Sequence, residues 1–171
     1  NAAQGSGRAI AVVADICHEA KVRLAMDALL TEWGGLDLLV NNAGIARTGT
    51  VSELELWDWQ QSLEVNATGH FIVAREAARV MKAQGLGGAM VFISSKNVPS
   101  PSAGFGAYSA SKAAQTQLAK VLAQELAPIG VRVNCVTPDG VFEDSGLWEH
   151  IGPERAGAQG LAPAKLKAAY I

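Results

Sequence analysis

The chain has little cysteine and no cysteine motif. Cys17 and Cys135 are the two cysteines among 171 residues, and they form neither a CxxC motif nor the basis of a disulfide framework. We expect two reduced thiols that pack as small hydrophobic side chains. The three histidines, His18, His70 and His150, show no metal-ligand spacing, so the sequence predicts no metal site.

Long apolar runs and clusters of basic charge are also missing. The chain contains no apolar run of the length that spans a bilayer and no charged segment followed by an apolar stretch that would resemble a signal peptide. Its formal net charge is −2, and no basic patch stands out that would attract nucleic acid or an anionic membrane. We expect a cytoplasmic protein that binds neither nucleic acid nor membrane.

The composition that is present favours one ordered domain. Hydrophobic residues make up 49% of the chain and charged residues 18%, which is typical of a folded globular protein. A length of 171 residues favours a single domain over residues 1–171.

Strand and helix patterns alternate along the chain. Predicted strands cover residues 8–14, 36–40, 89–93 and 131–136. Predicted helices cover 22–33, 52–84 with a break near Ser62, 108–128 and a short stretch near 163–170; Ser52 and Glu55 form a capping-box pattern before the second. Such alternation predicts an α/β fold, a doubly wound parallel sheet with helices on both faces and right-handed crossovers.

Polar residues follow each of the predicted strands. They are Asp15, Asn41, Asn42, Ser94, Ser95, Thr137, Pro138 and Asp139. The carboxyl ends of parallel strands meet at one edge, where open α/β sheets bind ligands. Each residue alone is equally typical of a turn, but together they favour a site.

The stretch YSASK places Tyr108 and Lys112 one helical turn apart, so the two side chains share a helix face. A cation close to a phenol lowers its pKa, and such a phenol can exchange a proton with an alcohol or carbonyl oxygen. Ser95 could donate a hydrogen bond to the same oxygen. No side chain carries hydride, so this chemistry requires a cofactor. The alternative is an ordinary amphipathic helix start with a solvated lysine.

Several motifs in one order resemble the short-chain dehydrogenase/reductase family. They are NNAG at 41–44, VN at 65–66, ISS at 93–95, YSASK at 108–112 and VRVNCVTP at 131–138. The resemblance implies a Rossmann-like fold and a catalytic tetrad of Asn66, Ser95, Tyr108 and Lys112. In it the tyrosine is the general acid/base, the lysine lowers its pKa and binds the nicotinamide ribose, the serine orients the substrate oxygen, and the asparagine holds a relay water.

The same resemblance implies NAD or NADP as cofactor and a small carbonyl/alcohol pair as substrate. The implied cofactor contacts are Asp15, Ile16, Asn42, Ala43, Gly44, Tyr108, Lys112 and Val141. It also implies a homo-oligomer, a dimer or tetramer, formed through the long helices around 62–84 and 107–128.

A narrower resemblance concerns SSKNVPSPSAGFGAYSASKAA, TPDGVFEDSGLW and GPERAGAQGLAPAKLKAAY. These segments are similar to the dehydrogenase part of bifunctional rhamnulose-phosphate aldolase/short-chain dehydrogenases, which implies lactaldehyde or a related hydroxy-carbonyl as substrate. No aldolase part stands in this sequence.

The sequence departs from the family at three places. The first strand with its TGxxxGIG turn is absent, since QGSG at 4–7 is too short and precedes the wrong strand, and the C-terminal strand is absent as well. The chain therefore resembles the middle of a longer protein, truncated at both ends. Asp139 and Glu143 add carboxylates near the expected phosphates. Two alternatives to an active oxidoreductase stay open: a catalytically silent dinucleotide-fold module for assembly or sensing, and an inactive fragment of an enzyme.

Overall fold

A computed structural model describes residues 7–141 and 145–158 and the single residues 160, 162 and 165. Most of the predicted helix near 163–170, most of QGSG at 4–7, and Glu143 lie outside the described residues. Within the described ranges, no helix is both long and apolar enough to cross a membrane.

Three strands and five α-helices make up the described structure. The strands are β1 (Leu38–Asn41), β2 (Gly88–Ile93) and β3 (Val131–Val136). The helices are α1 (Glu19–Trp33), α2 (Leu56–Leu63), α3 (His70–Gln84), α4 (Gly106–Leu126) and α5 (Gly146–Ala158), with a π-helical turn at Glu64–Gly69 and a 3-10 turn at Ala127–Ile129.

The strands form one parallel sheet in the order β1-β2-β3. Val40 of β1 lies opposite Val91 of β2, and Val91 lies opposite Asn134 of β3. Long helical connections separate the parallel neighbours, as this geometry requires. The structure confirms the predicted Rossmann-like α/β class with its parallel sheet.

The segment 8–14 is not the buried strand that its apolar sequence predicts. It has no regular secondary structure, and Ile10, Val12 and Val13 are exposed, the last of them completely. A strand is held by hydrogen bonds to a neighbouring strand, and no strand among the described residues pairs with this segment. That prediction is therefore wrong for the described structure.

The core lies between the sheet and the helices on one of its faces. Met90 and Phe92 are fully buried on β2, and they pack in one cluster with α3 and α4 side chains that include Met81 and Leu122. Side chains of α1 pack against the same cluster. The opposite face is covered less, since Leu38, Val40 and Val136 remain about half exposed.

The helical region predicted over 52–84 begins later and is interrupted differently. Helix α2 begins at Leu56 after Glu55, and no side chain caps it. The predicted capping box fails because Thr50 hydrogen-bonds Ser52 and Glu53 within a turn before the helix. The predicted break near Ser62 corresponds to the π-helical turn that begins at Glu64, which shifts the residues presented toward the sheet.

Candidate active site

A cleft of about 420 Å³ opens at the carboxyl ends of the three strands. The segments that follow the strands line it, namely residues 42–44, 94–97 and 138–141. The first turns of α4 and the start of α5 complete its wall. The loops after the strands thus meet at the edge where the sequence predicts a site.

Tyr108 and Lys112 both reach this cleft from the start of α4. Both are buried, with relative exposures of 7% and 3%. The Nζ atom of Lys112 donates a hydrogen bond of 2.7 Å to the carbonyl oxygen of Ile93, and it lies 6.0 Å from the centroid of the Tyr108 ring. The structure therefore brings together the two side chains that the YSASK pattern predicts to be neighbours.

The electrostatics of this pair differ from the prediction. Burial raises the pKa of Tyr108, and a hydrogen bond from Ser95 opposes part of that shift. Burial also lowers the pKa of Lys112 to about 8. The expected lowering of the Tyr108 pKa by Lys112 is not seen, since burial raises that pKa and the ammonium is hydrogen-bonded to the carbonyl oxygen of Ile93.

Ser95 lies just after β2 and lines the cleft with Tyr108, and its hydroxyl opposes part of the rise in the Tyr108 pKa. Its Oγ accepts a hydrogen bond of 3.1 Å from the backbone N–H of Asn97. Asn97 is buried and also accepts a hydrogen bond from the backbone of Ser102 through Oδ1. Asn97 is not among the residues predicted from the sequence, and its position two residues after Ser95 is its one sequence signal.

Asn66 is fully buried in the π-helical turn behind the cleft. Its Oδ1 accepts from the backbone N–H of Ile45 at 2.9 Å, and its Nδ2 donates to the carbonyl of Ile45 at 2.8 Å and to Ser111 at 2.9 Å. The side chain therefore fastens the segment after β1 to the helices. Its implied role in holding a relay water stays a prediction.

Four of the predicted cofactor contacts, Asn42, Ala43, Gly44 and Val141, line the cleft beside Tyr108 and Lys112. A Cβ atom on Gly44 would lie 3.2 Å from Asn66 Oδ1, closer than an ordinary contact, and 3.5 Å from Lys112 Nζ, so a side chain there would crowd Asn66. Their roles stay predictions.

Asp15 and Ile16 do not line the cleft. The Asp15 carboxylate is exposed, accepts a hydrogen bond from the backbone N–H of Cys17 at 3.0 Å and contacts the ring of His18 at 3.0 Å. Ile16 packs close to Gly69. Their implied contacts with the adenine stay predictions.

Two further features of the cleft follow from long-range contacts. Phe105, Ala46 and Ile151 pack with Tyr108 into an apolar wall, and Trp148 packs against it. Asp139, one of the departures from the family pattern, forms an ion pair of 3.3 Å with Lys96, so the added carboxylate has a cation beside it.

The sequence matches known proteins over nearly its whole length. The family model described as short chain dehydrogenase matches residues 1–154. The chain is 42% identical to an uncharacterized oxidoreductase, YuxG of Bacillus subtilis, over 99% of this chain and 25% of that protein. It is 36% identical to D-threitol dehydrogenase of Mycolicibacterium smegmatis, over 87% of this chain and 57% of that protein. The chain thus spans only part of the relatives' length.

Two solved structures share the fold. Sorbitol-6-phosphate 2-dehydrogenase of Erwinia amylovora superposes with a TM-score of 0.86 at 30% identity, over 92% of this chain and 61% of that one. A 3-ketoacyl-(acyl-carrier-protein) reductase of Brucella melitensis, complexed with NADH, gives a TM-score of 0.72 at 32% identity, over 76% and 55%. With the matched motifs, these findings show that the chain belongs to the short chain dehydrogenase family.

Proposed function

We propose that the protein is an NAD(P)-dependent oxidoreductase that interconverts a small hydroxy compound and its carbonyl product. The observation that carries this proposal is that three buried side chains, Ser95, Tyr108 and Lys112, line one cleft at the carboxyl ends of the strands. These groups are the proton donor, the oxygen ligand and the cation that such a reaction needs. They also favour catalysis over a silent dinucleotide-fold module.

The residues that surround the cleft fit the nicotinamide and ribose end of a dinucleotide. A lysine ammonium, two hydroxyls and the glycine-containing 42–44 segment line the cleft together, and Gly44 leaves room beside the ammonium. When bound, NAD(P) accepts or donates the hydride. Lys112 would hold the ribose, and the 42–44 segment with Val141 would contact the rest of the nucleoside.

The chain's own residues handle the proton. During oxidation of an alcohol, Tyr108 as phenolate takes the hydroxyl proton while the hydride leaves the carbon, and during reduction the phenol returns that proton. Ser95 donates a hydrogen bond to the reacting oxygen as its charge changes.

A polyol, a sugar phosphate or a sugar-derived aldehyde is the proposed substrate class. D-threitol dehydrogenase and sorbitol-6-phosphate 2-dehydrogenase are among the related proteins. The cleft combines the polar groups of Ser95 and Asn97 with the apolar wall at Phe105 and Trp148, which suits a short carbon chain with hydroxyl groups. A role in rhamnose breakdown, cytoplasmic location and homo-oligomerisation stay predictions.

Replacing Tyr108 by phenylalanine tests the proposal in the full-length protein. Tyr108→Phe keeps the ring and its packing but removes the proton donor, so kcat should fall by at least about 10² with either nucleotide. Ser52→Ala, which removes an exposed hydroxyl outside the cleft, is the matched control and should leave kcat unchanged. Unchanged turnover in a folded Tyr108→Phe protein would contradict the role of the phenol.

A further inference from the structure

A second group of buried polar side chains lies beneath the cleft and has no role in the proton transfer. His70, the first residue of α3, and Gln115, one turn beyond Lys112 on α4, are both completely buried. Gln115 Nε2 lies 2.6 Å from His70 Nδ1. Burying two polar side chains is tolerated only if their hydrogen bonds are made.

The partners of His70 fix the state of its ring. Nε2 lies 2.5 Å from the carbonyl oxygen of Ala43, which can only accept, so the ring proton is on Nε2. Nδ1 then carries a lone pair that accepts the N–H of Gln115. Burial, with a smaller effect of the Lys112 charge, lowers the pKa of His70 to about 4, which agrees with a neutral ring.

Gln115 has its amide orientation fixed in the same way. Its Nε2 faces two acceptors, His70 Nδ1 and the carbonyl oxygen of Ile93 at 3.3 Å. Rotating the amide would set Oε1 against both acceptors, so the observed orientation is the one that bonds. The buried Oε1 has no hydrogen-bond partner within the described part of the chain.

These bonds connect the two strand ends that form the cleft. The carbonyl of Ile93 accepts from Gln115 and also from Lys112 Nζ, and the carbonyl of Ala43 lies in the segment beside the cleft. The backbone carbonyl of His70 accepts a further hydrogen bond of 3.1 Å from Asn41 Nδ2 at the end of β1. The Lys112 ammonium and the 42–44 segment are therefore connected by one set of hydrogen bonds made by the uncharged side chains of His70 and Gln115.

We propose that His70 and Gln115 are positioning residues, which hold the Ala43 segment and the Lys112 ammonium in their nucleotide-binding arrangement. This inference rests on the proposed function. Neither side chain lines the cleft, so neither touches the substrate or the reacting atoms. Their effect passes through the two carbonyl groups that they contact.

A double replacement separates positioning from stability. His70→Leu and Gln115→Leu each leave the other's buried polar group unpaired, so each should destabilise the fold. The double variant removes both partners of the His70–Gln115 bond, although the Ala43 carbonyl still loses its donor, so it should recover part of the stability that each single variant loses. A merely structural pair would therefore recover function together with stability in the double variant, whereas positioning residues would not.

The experiment uses the full-length protein and two readouts that need no turnover. One is the Kd for NADH from its fluorescence, and the other is hydrogen exchange of the backbone amides at 41–46. Each single variant and the double variant should raise Kd at least about fivefold and speed exchange at 41–46. His70→Gln, whose amide can donate to Ala43 and accept from Gln115, should restore Kd to within about twofold.

Gln84→Leu is the matched control. Gln84 bonds the backbone of Leu36 at 2.6 and 3.0 Å on the opposite end of the sheet, so this variant should lose stability without changing Kd or exchange at 41–46. Wild-type Kd and exchange in the double variant would overturn the positioning role. If the wild type binds neither NADH nor NADPH, the proposed function fails, while exchange at 41–46 still decides this inference.

Discussion

The buried neutral ring of His70 should make the protein lose stability in mild acid. Its pKa lies at about 4, below the ordinary value of 6.5, because burial disfavours the imidazolium. Between pH 4 and pH 6.5, His70 is therefore protonated in the unfolded chain but neutral in the native state. The stability due to the neutral ring is fully present above pH 6.5 and is lost as pH falls toward 4.

The magnitude follows from the difference in pKa. One pKa unit corresponds to about 1.4 kcal/mol, so the free energy of unfolding should drop by about 2 kcal/mol between pH 7 and pH 5 from His70 alone. Because no water competes for a completely buried ring, solvent screening does not reduce this figure. The carboxylates with lowered pKa values, such as Glu76, lose their contribution at lower pH.

Urea unfolding at several pH values from 5 to 7.5 measures the effect in wild type and in His70→Gln. The wild-type curve should fall by about 2 kcal/mol more than that of the variant over the interval, since glutamine does not titrate. Parallel curves for the two proteins would refute the neutral buried ring, and with it the hydrogen-bond directions assigned to His70 Nδ1 and Nε2.

Two other predictions concern the cleft. Because burial lowers the pKa of Lys112 to about 8, kcat/KM for carbonyl reduction should be constant below pH 8 and decline above it, as the ammonium loses its proton. The raised pKa of Tyr108 keeps the phenol protonated in this range. The decline should be absent from the pH profile of the residual activity of Lys112→Arg, because arginine keeps its charge. Persistence of the decline in that variant would assign it to another group. Gly44→Ala should weaken NADH binding at least about tenfold, because the new methyl group would crowd Asn66 Oδ1 at 3.2 Å. Gly157→Ala, where a Cβ atom meets no atom within 4 Å and φ is not positive, is the control, and equal affinities of the two variants would argue against close packing at Gly44.

Elements with strong local patterns could be predicted from the sequence. The predicted bounds of β3 match the structure, and those of β2 and α4 differ by a few residues, because each carries its own apolar periodicity and is closed by a glycine or a turn. The segment 8–14 has the same apolar character and still forms no strand. A strand depends on a partner that may lie anywhere in the chain, so local composition could not decide it.

Some residues of the candidate site could likewise be predicted from the sequence and others could not. Tyr108 and Lys112 share a helix face because of their spacing, and the ends of parallel strands brought Ser95 and the 42–44 segment to them. The His70–Gln115 pair carried no such signal. His70 and Gln115 are 45 residues apart, and their contact exists only because α3 and α4 pack side by side.

What the sequence determined by itself was therefore local: the alternation of helix and strand, and the common direction of a phenol and an ammonium on one helix. Which apolar segments form strands depends on the tertiary structure, as does the contact between the Gln115 amide and His70 Nδ1. The rise in the pKa of Tyr108 also depends on it, because it results from burial. Periodicity acts between neighbours in the chain, whereas desolvation and long-range hydrogen bonds arise only when distant segments exclude water together.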